Sequence, residues 1–197
     1  VEEVKPLGNN DAITVYLQAR GVWHVAIDRV QEVYYHVEDE MGFRKYFFAA
    51  GWQNESGAWE VRNKYFKGCL GVKGLTIIPG NPDRIAVFEG YLNYLSWLAT
   101  NNGATETVLV LNSLSMLQAG IEYGKSYPES SVYFDHDEKG LAATAEYINA
   151  VPGSTDQSAV YDGFNDYNDW LIGIQEHTPD MDGPMFLPGQ TIPGMKR

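Results

Sequence analysis

Three carboxylates stand directly behind short apolar runs. Glu89 follows Ile85-Ala-Val-Phe88, and Asp135 and Asp137 follow Ser131-Val-Tyr-Phe134. Runs this short and apolar read as buried strands, and open α/β sheets bind ligands at the carboxyl ends of their strands. Acids gathered at such an edge repel one another unless a divalent cation lies among them. An all-oxygen donor set suits magnesium or manganese, and the chemistry it implies is metal-assisted work on phosphate. A simpler reading competes for Asp137, which precedes a helical pattern over 138–148 and is a ready helix cap. Capping needs only one acid and leaves Asp135 unexplained. His136 lies between the two acids on extended backbone, so it is expected to face the other way and not to be a ligand.

Bringing these residues together is a task for the elements around them. Strands are expected at 85–88, 107–111, 131–134 and 159–161, alternating with helices at 91–100, 114–123, 138–148 and 167–174. Such alternation with short connections predicts a mostly parallel sheet covered by helices on both faces. Right-handed crossovers then place successive strand ends on one edge, where Glu89, Asp135 and Asp137 converge. The pattern before residue 85 is different. Helices are expected at 11–18 and 23–30, β-rich stretches at 32–37 and 43–52, a hairpin turn at 54–57 leading into a strand over 58–62, and a further strand at 75–78. The expected organisation is a small α+β unit over 1–84, an α/β domain over 85–175, and an irregular Pro/Gly-rich tail over 176–197.

Charge divides along the same line. The net charge is −12, yet between Gly42 and Arg84 seven Lys/Arg face only Glu55, Glu60 and Asp83. From Ile85 to Asp180 there are fourteen acids against Lys125 and Lys139. One part of the chain is thus suited to touch phosphates directly and the other through a cation. Aromatics at Trp59, Tyr65 and Phe66 interleave with the basic residues; packing in a half-buried sheet is the favoured reading for them, and stacking on bases the alternative.

Several of these segments resemble a known family. Glu89-Gly-Tyr-Leu-Asn-Tyr-Leu-Ser96, the Asp135-His-Asp137 element and Gly163-Phe-Asn-Asp-Tyr-Asn-Asp-Trp-Leu171 occur in an order that resembles the toprim domain of DnaG-type primases, in particular those of phage and mobile elements. Gly51 to Asn63 with Phe66-Lys-Gly68 resembles the basic segment that precedes toprim in those proteins. The resemblance spans roughly residues 42–175. It implies a toprim-type, Rossmann-like fold and the catalytic core of a DNA primase: a nucleotidyltransferase with DNA-directed RNA polymerase activity, using Mg2+ or Mn2+ to make RNA primers on a single-stranded DNA template from nucleotide triphosphates. Glu89, Asp135 and Asp137 become the catalytic acids and metal ligands, Glu89 as ligand or general base, with Asp166 as a further ligand and Asp169 behind it. Arg62, Lys64 and Lys67 become the contacts to nucleic-acid or nucleotide phosphate. Asn93 stands where primases usually carry an aspartate, and Asn168 and Asn165 also depart from the family pattern. The zinc-ribbon domain and helicase expected as partners lie outside this chain. Two alternatives stand beside this reading: a toprim nuclease and a non-catalytic nucleic-acid-binding accessory module.

Other classes lack their motifs. No apolar run approaches the ~18 residues of a membrane span, and no signal peptide is visible. Cys69 is the sole cysteine, which excludes an intrachain disulfide and a cysteine zinc ribbon and suits a reducing cytoplasm. There is no Gly-x-Ser-x-Gly elbow, P-loop or Gly-x-Gly-x-x-Gly fingerprint. The opening Val-Glu-Glu, without methionine, reads as the start of a fragment.

Overall fold

The computed structural model describes residues 1–177. Its first sheet is an antiparallel meander of β1 (Glu3–Pro6), β2 (Gln31–Glu38), β3 (Arg44–Gln53), β4 (Trp59–Arg62) and β5 (Lys67–Leu70), hydrogen-bonded in that order. Between β1 and β2 lies α1 (Asp11–Ala19), whose cap Asn10 accepts from the Ala12 and Ile13 N–H groups. Buried Glu32 holds the approach to this helix by accepting from the N–H groups of Gly8, Asn9 and Asn10 at 2.8–3.0 Å. The second expected helix is only one turn, α2 (Trp23–Ala26). The chain turns at Asp28-Arg29 so that Val30 enters the core just before β2, and apolar spacing across 23–30 matches that path as well as a helix.

The second sheet has the order β10-β9-β7-β8-β6, from β6 (Thr76–Ile78), β7 (Asn81–Phe88), β8 (Glu106–Val110), β9 (Glu129–Tyr133) and β10 (Ser154–Asp156). All pairings are parallel except the edge strand β6, which runs antiparallel to β8. Four helices cover it: α3 (Tyr91–Thr100), α4 (Leu117–Gly124), α5 (Glu138–Ala150) and α6 (Tyr167–His177). The central strand shows why the run at 85–88 is wholly apolar. Ala86 and Phe88 enter one core with α3 and α6, while Ile85 and Val87 enter another with α4 and α5. Strands buried on both faces read as continuous apolar runs.

Two strands and a turn differ from the sequence reading. β1 and β5 were not expected; each is four residues long and finds its place only by pairing with a neighbour. The segment 159–161 is not a strand. It belongs to a 3-10 turn, Ser158–Tyr161, and the tenth strand lies earlier, at Ser154–Asp156. The turn buries Ser158 and Tyr161 on one side, and the Tyr161 hydroxyl donates to the Phe134 carbonyl at 2.8 Å. The Pro/Gly-rich segment from residue 178 lies outside the described residues.

Candidate metal and phosphate-transfer site

The site forms where β7 and β9, adjacent and parallel, end side by side with Phe88 opposite Tyr133. Glu89 leaves the first strand and Asp135 the second. α3, α5 and α6 all begin at this edge, so the positive ends of three helices point at the acids. Asp137 is the cap of α5, its carboxylate accepting from the Gly140 N–H at 2.7 Å. Asp166 plays the same part before α6, accepting from the Asp169 N–H at 2.8 Å. Asp169 itself turns outward to Arg20, 3.8 Å away. Glycine at 140 is required for this approach, since a Cβ there would overlap the Asp135 carbonyl.

Burial and mutual repulsion raise the acids together. Burial pushes Asp135 up to about 7, with the charges of Glu89 and Asp166 adding and Lys67 and an Asn93 hydrogen bond opposing. Glu89 is raised first by burial and then by Asp137 and Asp166, against the pull of Lys67. Asp166 is raised chiefly by burial and held back by the Asp169 N–H and by Arg62. Glu89, Asp135, Asp137 and Asp166 therefore share one field, with Arg62 and Lys67 from the first sheet facing it. Lys64 stands apart, its ammonium 5.7 Å from the Tyr65 ring centroid.

Donor chemistry suits a hard cation. The Glu89 Oε2 atom is buried without a hydrogen-bond partner, and an unpartnered anionic oxygen in a buried site is costly unless a cation or donor meets it. Among the described residues, no three His, Cys, Asp or Glu side chains are gathered closely enough to hold an ion as they stand. Asp137 and Asp166 each spend a carboxylate oxygen on a capping N–H and Asp135 one on Asn93, whereas Glu89 Oε2 has no partner.

The asparagines separate into two kinds. Asn93 is a site residue, donating to Asp135 Oδ1 at 2.8 Å. The Asn168 side chain is buried and turned away from the acids, donating to the Arg20 carbonyl and Ser96 Oγ and accepting from Arg20 Nη1. It is a clamp between α6, α3 and the end of α1. Ser96 is engaged there too and does not reach the site. His136 faces away: its Nδ1 lies 2.8 Å from the Phe164 carbonyl, its N–H donates to the Asn165 carbonyl, and its ring rests on Tyr161. It ties the turn that carries Asp166 to the end of β9. Trp59 packs with Val33, Ala49 and Val61 on the sheet face opposite Arg62.

A cleft of about 340 Å³ opens beside Glu89, lined among others by Lys67, Lys73, Asn112 and Ser113. Lys73 donates to Ser113 Oγ at 3.1 Å. Lys73 carried no signal in the sequence beyond its place in a basic run, because it enters the cleft from an irregular connection between β5 and β6. Asn112, at φ 62°, joins the two sheets by accepting from Trp52 Nε1 and donating to the Gly74 carbonyl. Cys69, also at the cleft, has a thiol pushed up to about 11 by burial and the neighbouring Glu60, and is no nucleophile near neutral pH.

A mostly parallel sheet wrapped on both faces, with acids at the ends of two adjacent strands, is an α/β domain of toprim type. Residues 86–171 match the family described as Toprim-like, and this part of the chain is a toprim-like domain resembling the core of phage DnaG-type primases. Residues 1–71 match a family described as "Domain of unknown function (DUF8464)". No curated protein sequence matches the chain. The fold is similar to that of the primase fragment of the bacteriophage T7 primase-helicase protein, with a TM-score of 0.60 and 18% identity over 82% of this chain and 70% of that one. A second similar structure is that of the T7 lagging-strand DNA polymerase interacting with primase domains bound to an RNA/DNA hybrid and dTTP. There the TM-score is 0.47 and the identity 18%, over 73% of this chain and 78% of that one. No helix among the described residues is long and apolar enough to cross a membrane.

Proposed function

We propose that the chain is the catalytic core of a primase-like enzyme that joins nucleotides on a single-stranded DNA template, with Mg2+ or Mn2+ held by Glu89 and Asp135 and supported by Asp166 and Asp137. The observation that carries this reading is the buried, unpartnered Glu89 oxygen in a field shared by four acids and faced by Arg62 and Lys67. A divalent cation bound there polarises phosphoryl oxygens and acidifies an attacking hydroxyl. In this reading Glu89 serves either as a ligand or as the general base for the attacking hydroxyl. Arg62 serves phosphate by bidentate contact, while Lys67 and Lys73 offer mobile point charges at the mouth of the cleft. Asn93 holds Asp135 in place with a neutral donor, so the site has one negative charge fewer than an aspartate there would give. That predicts weaker cation binding and a larger contribution from substrate phosphates. A zinc-ribbon domain and a helicase are the partners this reading assigns to the wider assembly, in a mobile-element setting.

The test is a calorimetric titration with Mn2+, with and without a nucleotide triphosphate, comparing the wild type with Asp135→Asn. Saturable binding in at least one condition, lost in the variant, is the expected result; labelled products lengthening on a single-stranded template then complete the assignment. A well-folded wild type that binds no cation in either condition would sink it. Shortening of the template without nucleotides would turn the assignment to a nuclease.

A further inference from the structure

Exposed aromatic rings are concentrated at one place on the first sheet. Tyr46 is 68% exposed, Phe48 39% and Tyr65 87%. Such a concentration on a folded surface marks an interaction site. Strand register fixes where the first two point. Side chains at 46, 48 and 50 lie on one face of β3; Ala50 pairs with Arg62, and Arg62 pairs with Lys67. Tyr46 and Phe48 therefore share a face with the two cations whose charge reaches Asp166, Glu89 and Asp135. Next to the rings is a slot of about 200 Å³, lined by Ile13 of α1 and by Tyr46, Phe48, Asn63, Lys64 and Tyr65. Its walls are largely aromatic, and Lys64 sits at its rim.

We propose that this face is a base-stacking platform for a single-stranded nucleic acid. Tyr46, Phe48 and Tyr65 take bases, and Lys64, Arg62 and Lys67 follow the phosphates toward the acidic site. The mixture of groups selects the partner. Rings that each contact one neighbour (Phe48 with Tyr34, Tyr46 with His36, Tyr65 with Lys64) and are otherwise exposed, alternating with cations, match a polyanion whose bases are unstacked. Charge leaves such a ligand little approach over the second sheet, since residues 85–177 carry thirteen acids against two lysines. The acidic tip of the β2–β3 hairpin is partly neutralised, Glu38 pairing with Arg44 at 2.8 Å. The proposal gives the first sheet, within the family of unknown function, the task of holding the strand on which the second sheet works. It draws on the phosphate-transfer reading for the direction of the strand; the stacking itself requires no turnover.

The experiment is a titration of a single-stranded DNA oligonucleotide containing 2-aminopurine with the full chain, the Tyr46→Ala/Phe48→Ala double variant and Glu89→Gln. The wild type is expected to bind with salt-dependent affinity and to change the 2-aminopurine emission. The double variant should bind at least ~10-fold more weakly and lose the emission change, and Tyr46→Trp should retain both. Equal binding by wild type and a folded double variant would overturn the platform, as would the absence of oligonucleotide binding by the wild type at low salt. Should circular dichroism show the double variant unfolded, Tyr46→Ala alone gives the same comparison at roughly fivefold, because its side chain is mostly in water. Glu89→Gln, which removes a negative charge from the acidic site, should bind DNA at least as tightly as the wild type does. Manganese binding by the platform variants should be unchanged, so failure of the stacking proposal and failure of the catalytic reading are told apart.

Discussion

At the scale of single residues, the acids of the site are held in a state they would not adopt in water. Asp135 titrates at about 7 against an ordinary 3.8, chiefly because it is buried and then because Glu89 and Asp166 repel its charge. In the unfolded chain the same carboxyl loses its proton near pH 4. Between pH ~4 and ~7 the folded protein thus binds a proton that the unfolded chain has released. Stability from this group is complete below about pH 4 and falls as pH rises through 7. Asp135→Asn keeps the shape and removes the charge. Without metal, the variant should be more stable than wild type at pH 8, by on the order of 2 kcal/mol, and the difference should fade by pH 4. Urea denaturation at both pH values measures it. Added manganese should reverse the order at pH 8, because it stabilises only the protein that binds it. A variant less stable than wild type at pH 8 in the absence of metal would contradict the account.

At the scale of elements, the site is a product of where helices begin. Asp137 and Asp166 each spend a carboxylate oxygen on the first turn of the helix that follows, so cap and charge cluster are one feature. The tight join at Gly140 makes this testable. In Gly140→Ala the added methyl has only the Asp135 backbone to displace, and the helix start must move away from β9. A loss of about 2 kcal/mol or more is expected, together with weakened cation binding in the fraction that folds. Ala143→Gly, farther along the same helix, should cost about 1 kcal/mol by propensity plus the lost buried methyl and leave cation affinity unchanged. Equal cation affinity in folded Gly140→Ala and wild type would show that the join does not position Asp135.

At the scale of the molecule, the two sheets share a core. Leu7, Ile13, Ala50 and Trp52 from the first part pack in one cluster with Phe88, Tyr91, Leu95 and Leu171 from the second. Trp52 stacks on Tyr91 at 4.3 Å and donates to Asn112, and Asn168 holds α6 to Arg20. Continuity of this kind predicts one cooperative unfolding transition rather than two. Far-UV dichroism and tryptophan fluorescence should give the same urea midpoint. Trp52→Ala should lower the unfolding free energy by about 3–5 kcal/mol, moving that midpoint down while keeping the two signals coincident. Two separated transitions in the wild type would mean that the shared core does not couple the sheets.

The sequence by itself determined the central strands of the second sheet and the edge at which they end. The run at 85–88 is apolar without interruption because both its faces are buried, and the acids behind 88 and 134 follow from the same chain direction. α3 was legible to the residue because a sharp Glu89-Gly90 start and an apolar stripe leave no other reading. Tertiary structure alone decided the rest. Strands of four residues such as β1 and β5 have too little pattern to declare themselves and exist through their partners. The 3-10 turn at Ser158–Tyr161 looks strand-like in composition, and only the buried Phe134 carbonyl waiting for a hydroxyl explains its form. Resemblance placed Asn93 near the acids, but the actual contacts of the two asparagines were beyond sequence. Asn93 meets Asp135 and Asn168 turns from the site because each lies on a particular face of a helix, and the packing of α3 against α6 sets which face looks inward.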